Sequence, residues 1–218
     1  MEKWISIVKK QVLVAKELYC ERDDRLLFQN LDLAFRQGEV VQIRGPNGCG
    51  KTTLLRKLSG LADVVTGALN WQAPFGETDW LDPSKYLYLG HKPGITGSAT
   101  ALENLVFHHS LKGLPSPTEE ALFAALNQVG LAGFEHVYAH SLSAGQQRRV
   151  ALARLYLMGH QMPIWILDEP FTALDVKGVA QLESHIENHA KNGGLVVLTT
   201  HHPLNIESAR MVDVEAFV

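Results

Sequence analysis

The chain has 218 residues, 46% of them hydrophobic, enough for one sizeable core with at most a minor lobe. A formal net charge of −3 and an isoelectric point near 6.4 supply no basic field for gripping nucleic acid, which argues against a DNA or RNA partner. No stretch approaches the roughly 20 apolar residues of a bilayer-spanning helix, so any membrane role has to come through a partner.

Residues 1–11, MEKWISIVKKQ, carry a short apolar cluster but no signal-peptide core or small-residue cleavage site. They read as an N-terminal extension of a chain expected in the cytosol. Cys20 and Cys49 stand in no metal-ligand spacing and suit free thiols in a reducing compartment. Near-continuous apolar runs at 39–45, 86–90, 164–168 and 195–200 read as strands buried on both faces. Helical patterns lie between them at 51–59, 101–112, 118–129, 146–158 and 177–191. This alternation predicts an α/β fold with a mainly parallel sheet covered by helices. VVTGALNWQ (64–72) reads instead as a hairpin, a small antiparallel β appendage. Residues 93–140 hold helices without strands, broken by GLPSP (113–117), and read as an inserted helical subdomain. The core is then 12–92 together with 141–218.

GPNGCGKTT (45–53) fits the phosphate-loop pattern of a P-loop NTPase, between a predicted strand and a predicted helix as that motif requires. Gly45, Gly48 and Gly50, with Pro46, Asn47 and Cys49 between them, let backbone N–H groups wrap phosphate oxygens. Lys51 is placed to reach the β- and γ-phosphates of ATP, Thr52 to offer its hydroxyl to Mg²⁺, and Thr53 to add a phosphate contact. SLSAGQQRRVALARLYL (141–157) opens a helix at Ser143, with Ala144, Gly145 and Gln146 leaving backbone N–H groups accessible. Such a terminus is a second anion site, or simply an N-cap. PIWILDEPFTALD (163–175) sets Asp168 and Glu169 at the carboxyl end of a buried strand, where open α/β sheets bind ligands. Asp168 suits a Mg²⁺ ligand and Glu169 a base for an attacking water. An isolated acidic pair there could equally be solvated; the phosphate cradle upstream favours the site.

The order cradle, LSAGQ, acidic strand, TTHH resembles that of the ATP-binding-cassette ATPases, from about Leu13 to the end. The resemblance implies that Leu142–Gln146 is a signature turn closing over the nucleotide of a second copy, in an ATP-sandwiched homodimer. It implies that Thr172–Asp175 speaks to the opposite site and that His201 is the switch histidine by the γ-phosphate, with His202 a bystander. Two positions depart from the family pattern. His91 stands where a glutamine usually reaches toward Mg²⁺, and Arg22 where an aromatic usually stacks on adenine, with Tyr19 three residues earlier. The wording of CERDDRLLFQNLDL, GHKPGITGSATALENL and TTHHPLN resembles, within that family, the ATPase subunit of bacterial cytochrome c biogenesis systems of heme-exporter type. That implies membrane-spanning partner subunits and a peripheral place on the cytoplasmic face of the inner membrane. No residue reads as a heme ligand, and His108–His109 are assigned to a polar helix face. A transport cassette for another cargo, a soluble assembly ATPase of iron–sulfur type and, more distantly, a P-loop kinase are the alternatives.

Overall fold

Ile164–Asp168 (β6) and Leu195–Thr199 (β7) are buried at every position, and they pair in parallel at the centre of a sheet. Tyr86–Leu89 (β5) flanks β6; Val40–Arg44 (β3) and Arg210–Asp213 (β8) follow β7, giving the all-parallel order β5-β6-β7-β3-β8. Strand alternation sends Ile164, Ile166, Leu195 and Val197 to one hydrophobic cluster and Trp165, Leu167, Val196 and Leu198 to the other. Neither face meets water, which is why these runs are apolar up to their last residues, Asp168 and Thr199. The computed structural model describes residues 10–72 and 82–217; the expected extension, except Lys10 and Gln11, lies outside them.

The second layer is a three-stranded antiparallel sheet, ordered β2-β1-β4, from Gln11–Arg22 (β1), Arg25–Arg36 (β2) and Thr66–Trp71 (β4). β1 and β2 are joined through Asp23 and Asp24, at φ 53° and 58°, as a tight hairpin turn with positive φ at both central residues requires. The expectation of a hairpin within 64–72 is corrected: β4 is a single strand that pairs antiparallel with β1, Leu13 opposite Trp71. Gly67, the apparent turn residue, has φ 90° and packs on the carbonyls of Lys16 and Glu17. A Cβ there would lie 2.5 Å from the Glu17 oxygen, so this glycine serves close strand approach rather than chain reversal. Phe28, Phe35 and Trp71 fill the space between the two sheets, beside Lys51–Leu58 (α1).

The other face of the parallel sheet is covered by Ala144–Met158 (α4) and Val176–Lys191 (α5). Ala101–Ser110 (α2) and Glu119–Gln128 (α3) pack on α4 through Leu105, Leu122, Ala125 and Leu126, and belong to the same cluster. All five helices fall within two residues of their expected bounds. α2 starts at a capping box in which Thr100 and Glu103 exchange hydrogen bonds at 3.1 and 2.7 Å. The assignment of His108 and His109 to a polar face is corrected. His109 is 3% exposed, and His108 is half-buried with Nε2 2.7 Å from the Gly94 carbonyl. Burial, then the neighbouring Arg154 cation, pushes the His108 imidazole down to about 4. His108 also lies 3.3 Å from Arg154 of α4, a contact between residues far apart in sequence that the α2 pattern does not show. Both cysteines are buried free thiols. Among the described residues no helix is long and apolar enough to cross a membrane.

Asn104, 1% exposed, ties the loop before α2 to the helix: Oδ1 accepts from Thr96 N at 2.7 Å, and Nδ2 donates to the Thr96 and Thr100 carbonyls at 3.0 and 2.9 Å. Asn104→Leu leaves these buried partners unmet, and urea denaturation should show a loss of about 2–3 kcal/mol.

Candidate active site

β3 ends at Arg44, and the chain then needs three left-handed glycines to turn into α1: Gly45 (φ 141°), Gly48 (φ 80°) and Gly50 (φ 101°). A Cβ on Gly45 would fall 2.5 Å from the buried Cys49 sulfur, so the turn closes on itself with no room for a side chain. Lys51 Nζ donates to the Gly45 and Pro46 carbonyls at 2.7 and 3.0 Å, spanning the mouth of the loop. Asn47, Gly48, Gly50, Lys51, Thr52 and Thr53 all line one cleft of about 1150 Å³.

Asp168 and Glu169 reach the same cleft from the end of β6. Asp168 is 2% exposed, and each of its oxygens accepts from a hydroxyl: Oδ2 from Thr52 at 2.9 Å and Oδ1 from Thr199 at 2.7 Å. Thr52 starts α1 and Thr199 ends β7, so one carboxylate ties three elements. Glu169 sits at φ 51°, a strained region for a residue with a side chain. Its N–H donates to the Thr199 carbonyl at 3.1 Å, and its Oε2 accepts from the His201 backbone N–H at 3.2 Å. The His201 Nε2 lies 3.7 Å from Glu169 Oε1. Burial, then the Asp168 charge, pushes the nearby Tyr88 phenol up to about 12.

Arg22 and His91 line the rim of the cleft. Arg22 is largely exposed beside Asp23, with Nε 3.4 Å from that carboxylate. The residues of the expected signature turn do not line it. Ser143 caps α4 in a capping box with Gln146, at 3.2 and 2.9 Å, while Gly145 packs toward Ala173. Asp175 is the N-cap of α5, accepting from Gly178 N at 2.7 Å, and is likewise outside the cleft lining. The chain therefore brings the cradle, the acidic pair and His201 together, and leaves Ser143, Ala144, Gly145, Gln146 and Asp175 outside the cleft lining.

Arg148 was missed by sequence reasoning. It is 5% exposed on α4; Nη2 donates to the Asp168 and Glu169 carbonyls at 2.7 and 2.9 Å, while Nη1 bonds the Gly90 carbonyl and lies 3.3 Å from that of His91. The fork thus joins the carboxyl ends of β5 and β6. Burial lowers its pKa, opposed by the Asp168 and Glu169 charges. A signal was available: Arg148 shares a helical face with Ala151, Leu152 and Leu155, an i, i+3, i+4, i+7 stripe that is otherwise apolar.

The carboxyl edge of a parallel sheet, a lysine-bearing phosphate loop and an acidic pair beside it define the nucleotide site of a P-loop NTPase. The ABC transporter family matches residues 28–172. A dimeric ATP-binding cassette solved in a post-hydrolysis state with ADP and phosphate superposes with a TM-score of 0.74 at 25% identity, over 87% of this chain and 88% of that one. An ABC transporter ATP-binding protein from Pyrococcus furiosus gives 0.76 at 22% identity, over 94% and 98%. In sequence, the chain is 52% identical to the cytochrome c biogenesis ATP-binding export protein CcmA of Pseudomonas syringae, over 88% of this chain and 89% of that protein. It is 49% identical to CcmA of Escherichia coli K12, over 92% and 94%. The chain belongs to the CcmA family of ABC ATPases, nucleotide-binding proteins that hydrolyse ATP.

Arg148→Lys keeps a cation but loses the planar fork that reaches both strand ends. An ATPase assay should show turnover reduced about tenfold or more, with the far-ultraviolet circular dichroism of the native chain.

Proposed function

We propose that this chain is the ATP-hydrolysing subunit of a membrane ABC complex that drives heme delivery for c-type cytochrome maturation. It works as a nucleotide-bridged pair on the cytoplasmic face of a bacterial inner membrane. The observation that carries the chemistry is the meeting of Glu169 and His201 across the cleft from Lys51 and the glycine loop. The assignment to cytochrome c biogenesis rests on the names of relatives about half identical over nine-tenths of the chain.

In this reading the loop N–H groups from Gly45 to Thr53 hold the phosphate chain, and Lys51 turns from the two carbonyls to the β- and γ-oxygens. Glu169 takes the proton of the attacking water, and His201 orients water and γ-phosphate. Oxygen donors suit Mg²⁺, and the Thr52 hydroxyl and Asp168 carboxylate, 2.9 Å apart, are such a pair. Among the described residues no group of three or more His, Cys, Asp or Glu could hold a metal. Thr52 and Asp168 would hold Mg²⁺, with His91 contributing from the rim, and the ion would supply charge neutralisation at the β- and γ-phosphates. Arg22 stacks its guanidinium on adenine.

Ser143, Ala144, Gly145 and Gln146 serve the second copy's nucleotide, with Asp175 at the same contact. Their separation from this chain's own cleft, and the similar fold of a cassette solved as a dimer with ADP and phosphate, support that arrangement. Residues 93–140 and the segment after His91 carry the opening and closing of the pair to membrane-spanning partners. Cargo is chosen by those partners, so a cassette serving another cargo is tested by identifying what co-purifies with this chain from membranes.

Glu169→Gln should bind ATP with affinity within about threefold of the native chain while turnover falls at least a hundredfold. Turnover near the native rate would overturn the base. In mixed pairs of a Gly145→Asp chain with a native chain, the defect should appear at the native chain's nucleotide, read by selective labelling of each cradle. A defect at the mutant's own cradle counts against the paired arrangement.

A further inference from the structure

Two histidines follow β7 in succession, and each meets a carboxylate. Both histidines line the cleft, but they face different carboxylates, His201 toward Glu169 and His202 toward Glu183. The His202 Nε2 lies 4.0 Å from Oε1 of Glu183, on α5, and is buried without a hydrogen-bond partner. Its ring is tilted against Phe171 with centroids 5.5 Å apart, and Phe171 follows Glu169 by two residues. Glu183 is itself 7% exposed and accepts from the Asn205 backbone N–H at 2.8 Å and from Asn205 Nδ2 at 3.4 Å. A buried carboxylate is stable only where donors are directed at it. Here those donors come from the loop that carries His201. The His202 N–H closes the loop from its other side by donating to Thr200 Oγ1 at 2.9 Å.

We infer that Glu183 and His202 are positioning residues for the switch histidine. Together they clamp residues 200–205 between α5 and Phe171, so that His201 is held over Glu169. Both line the nucleotide cleft, and their part in it is to fix the place of the residue that acts on the phosphate. Both contacts fall on the chain just after His201, at His202 and Asn205. Glu183 grips the loop four residues after His201, and His202 wedges it against the segment leaving Glu169. This clamp replaces the reading of His202 as a bystander. It rests on the ATP-hydrolysing site proposed above, and misplacement of a catalytic group by about 1 Å is enough to cost orders of magnitude in rate.

The test is steady-state ATP hydrolysis by the purified chain with whatever subunits it retains on isolation, together with amide hydrogen exchange. Glu183→Ala should lower kcat about tenfold with KM for ATP within about twofold, because the loss falls on the reacting geometry and not on binding. The Asn205 amide should exchange about tenfold faster. Glu183→Gln keeps an oxygen for the Asn205 N–H and should recover most of the turnover. His202→Ala, at a half-exposed position, should lower kcat about threefold at unchanged KM, and it decides the matter if Glu183→Ala does not fold. A kcat within twofold of native in either alanine variant overturns the inference. So does KM rising as kcat falls, or Glu183→Gln performing no better than Glu183→Ala. His201→Ala separates the two levels. If it hydrolyses ATP normally, the site reading itself fails; if it is inactive while the Glu183 and His202 variants are normal, only the clamp fails.

Discussion

A carboxylate with almost no exposure to water sits at the centre of this molecule, and the rest of the site is arranged around it. Asp168 accepts one hydroxyl hydrogen bond on each oxygen, from Thr52 and from Thr199. Those hydroxyls belong to the first turn of α1 and the last residue of β7, so satisfying the carboxylate sets the phosphate loop's helix against the strand that leads to His201. Losing either hydroxyl would leave a buried acceptor unmet and also free one element from the other two. Structure and chemistry here draw on the same bonds.

The residue after Asp168 shows how strain is held at such an edge. Glu169 occupies a left-handed conformation that costs of order 1–3 kcal/mol. It persists because its N–H is bonded to Thr199, its C=O to Arg148 and its carboxylate to the His201 N–H. The strained turn lifts the glutamate out of the sheet and into the cleft, where a regular strand would have sent it toward a packed layer. Arg148 is the less expected partner. A guanidinium buried among carbonyls, with no carboxylate side chain bonded to it, depends on its fork geometry to fill several acceptors at once.

How much of this was legible beforehand follows from where each signal resides. The parallel strands and the helices were readable because their burial imposes local patterns, apolar up to the terminal Asp168 and Thr199 in β6 and β7 and periodic in α5. The glycine loop was readable because Gly45, Gly48 and Gly50 occupy conformations that other residues avoid. The antiparallel layer was mostly not. β1 and β2 alternate buried with exposed residues and carry shifts of register at Leu18 and Cys20 that blur the period. In sequence β4 resembles a hairpin because Gly67 looks the same in a turn as beneath a neighbouring backbone. Contacts between residues far apart in sequence, such as Arg148 with Glu169 and Glu183 with Asn205, left no local mark beyond a charged residue on an apolar helical face.

The placement of α4 then gives the paired arrangement proposed for this family member a physical route between its two sites. α4 begins at Ser143, whose hydroxyl is engaged in the capping box, so the helix start is rigid rather than frayed. One turn later Arg148 bonds the carbonyls of Asp168 and Glu169. A helix stiff over that span cannot move at its N-terminus without pulling on the backbone of its own base. In the proposed nucleotide-bridged pair, the turn assigned to the neighbour's phosphates would thus be mechanically joined to the end of the chain's own β6. Each copy would report the closure of the opposite site to its own Glu169. The coupling needs no additional element, because the arginine that satisfies the strained strand end is the same one that ties it to the signature helix.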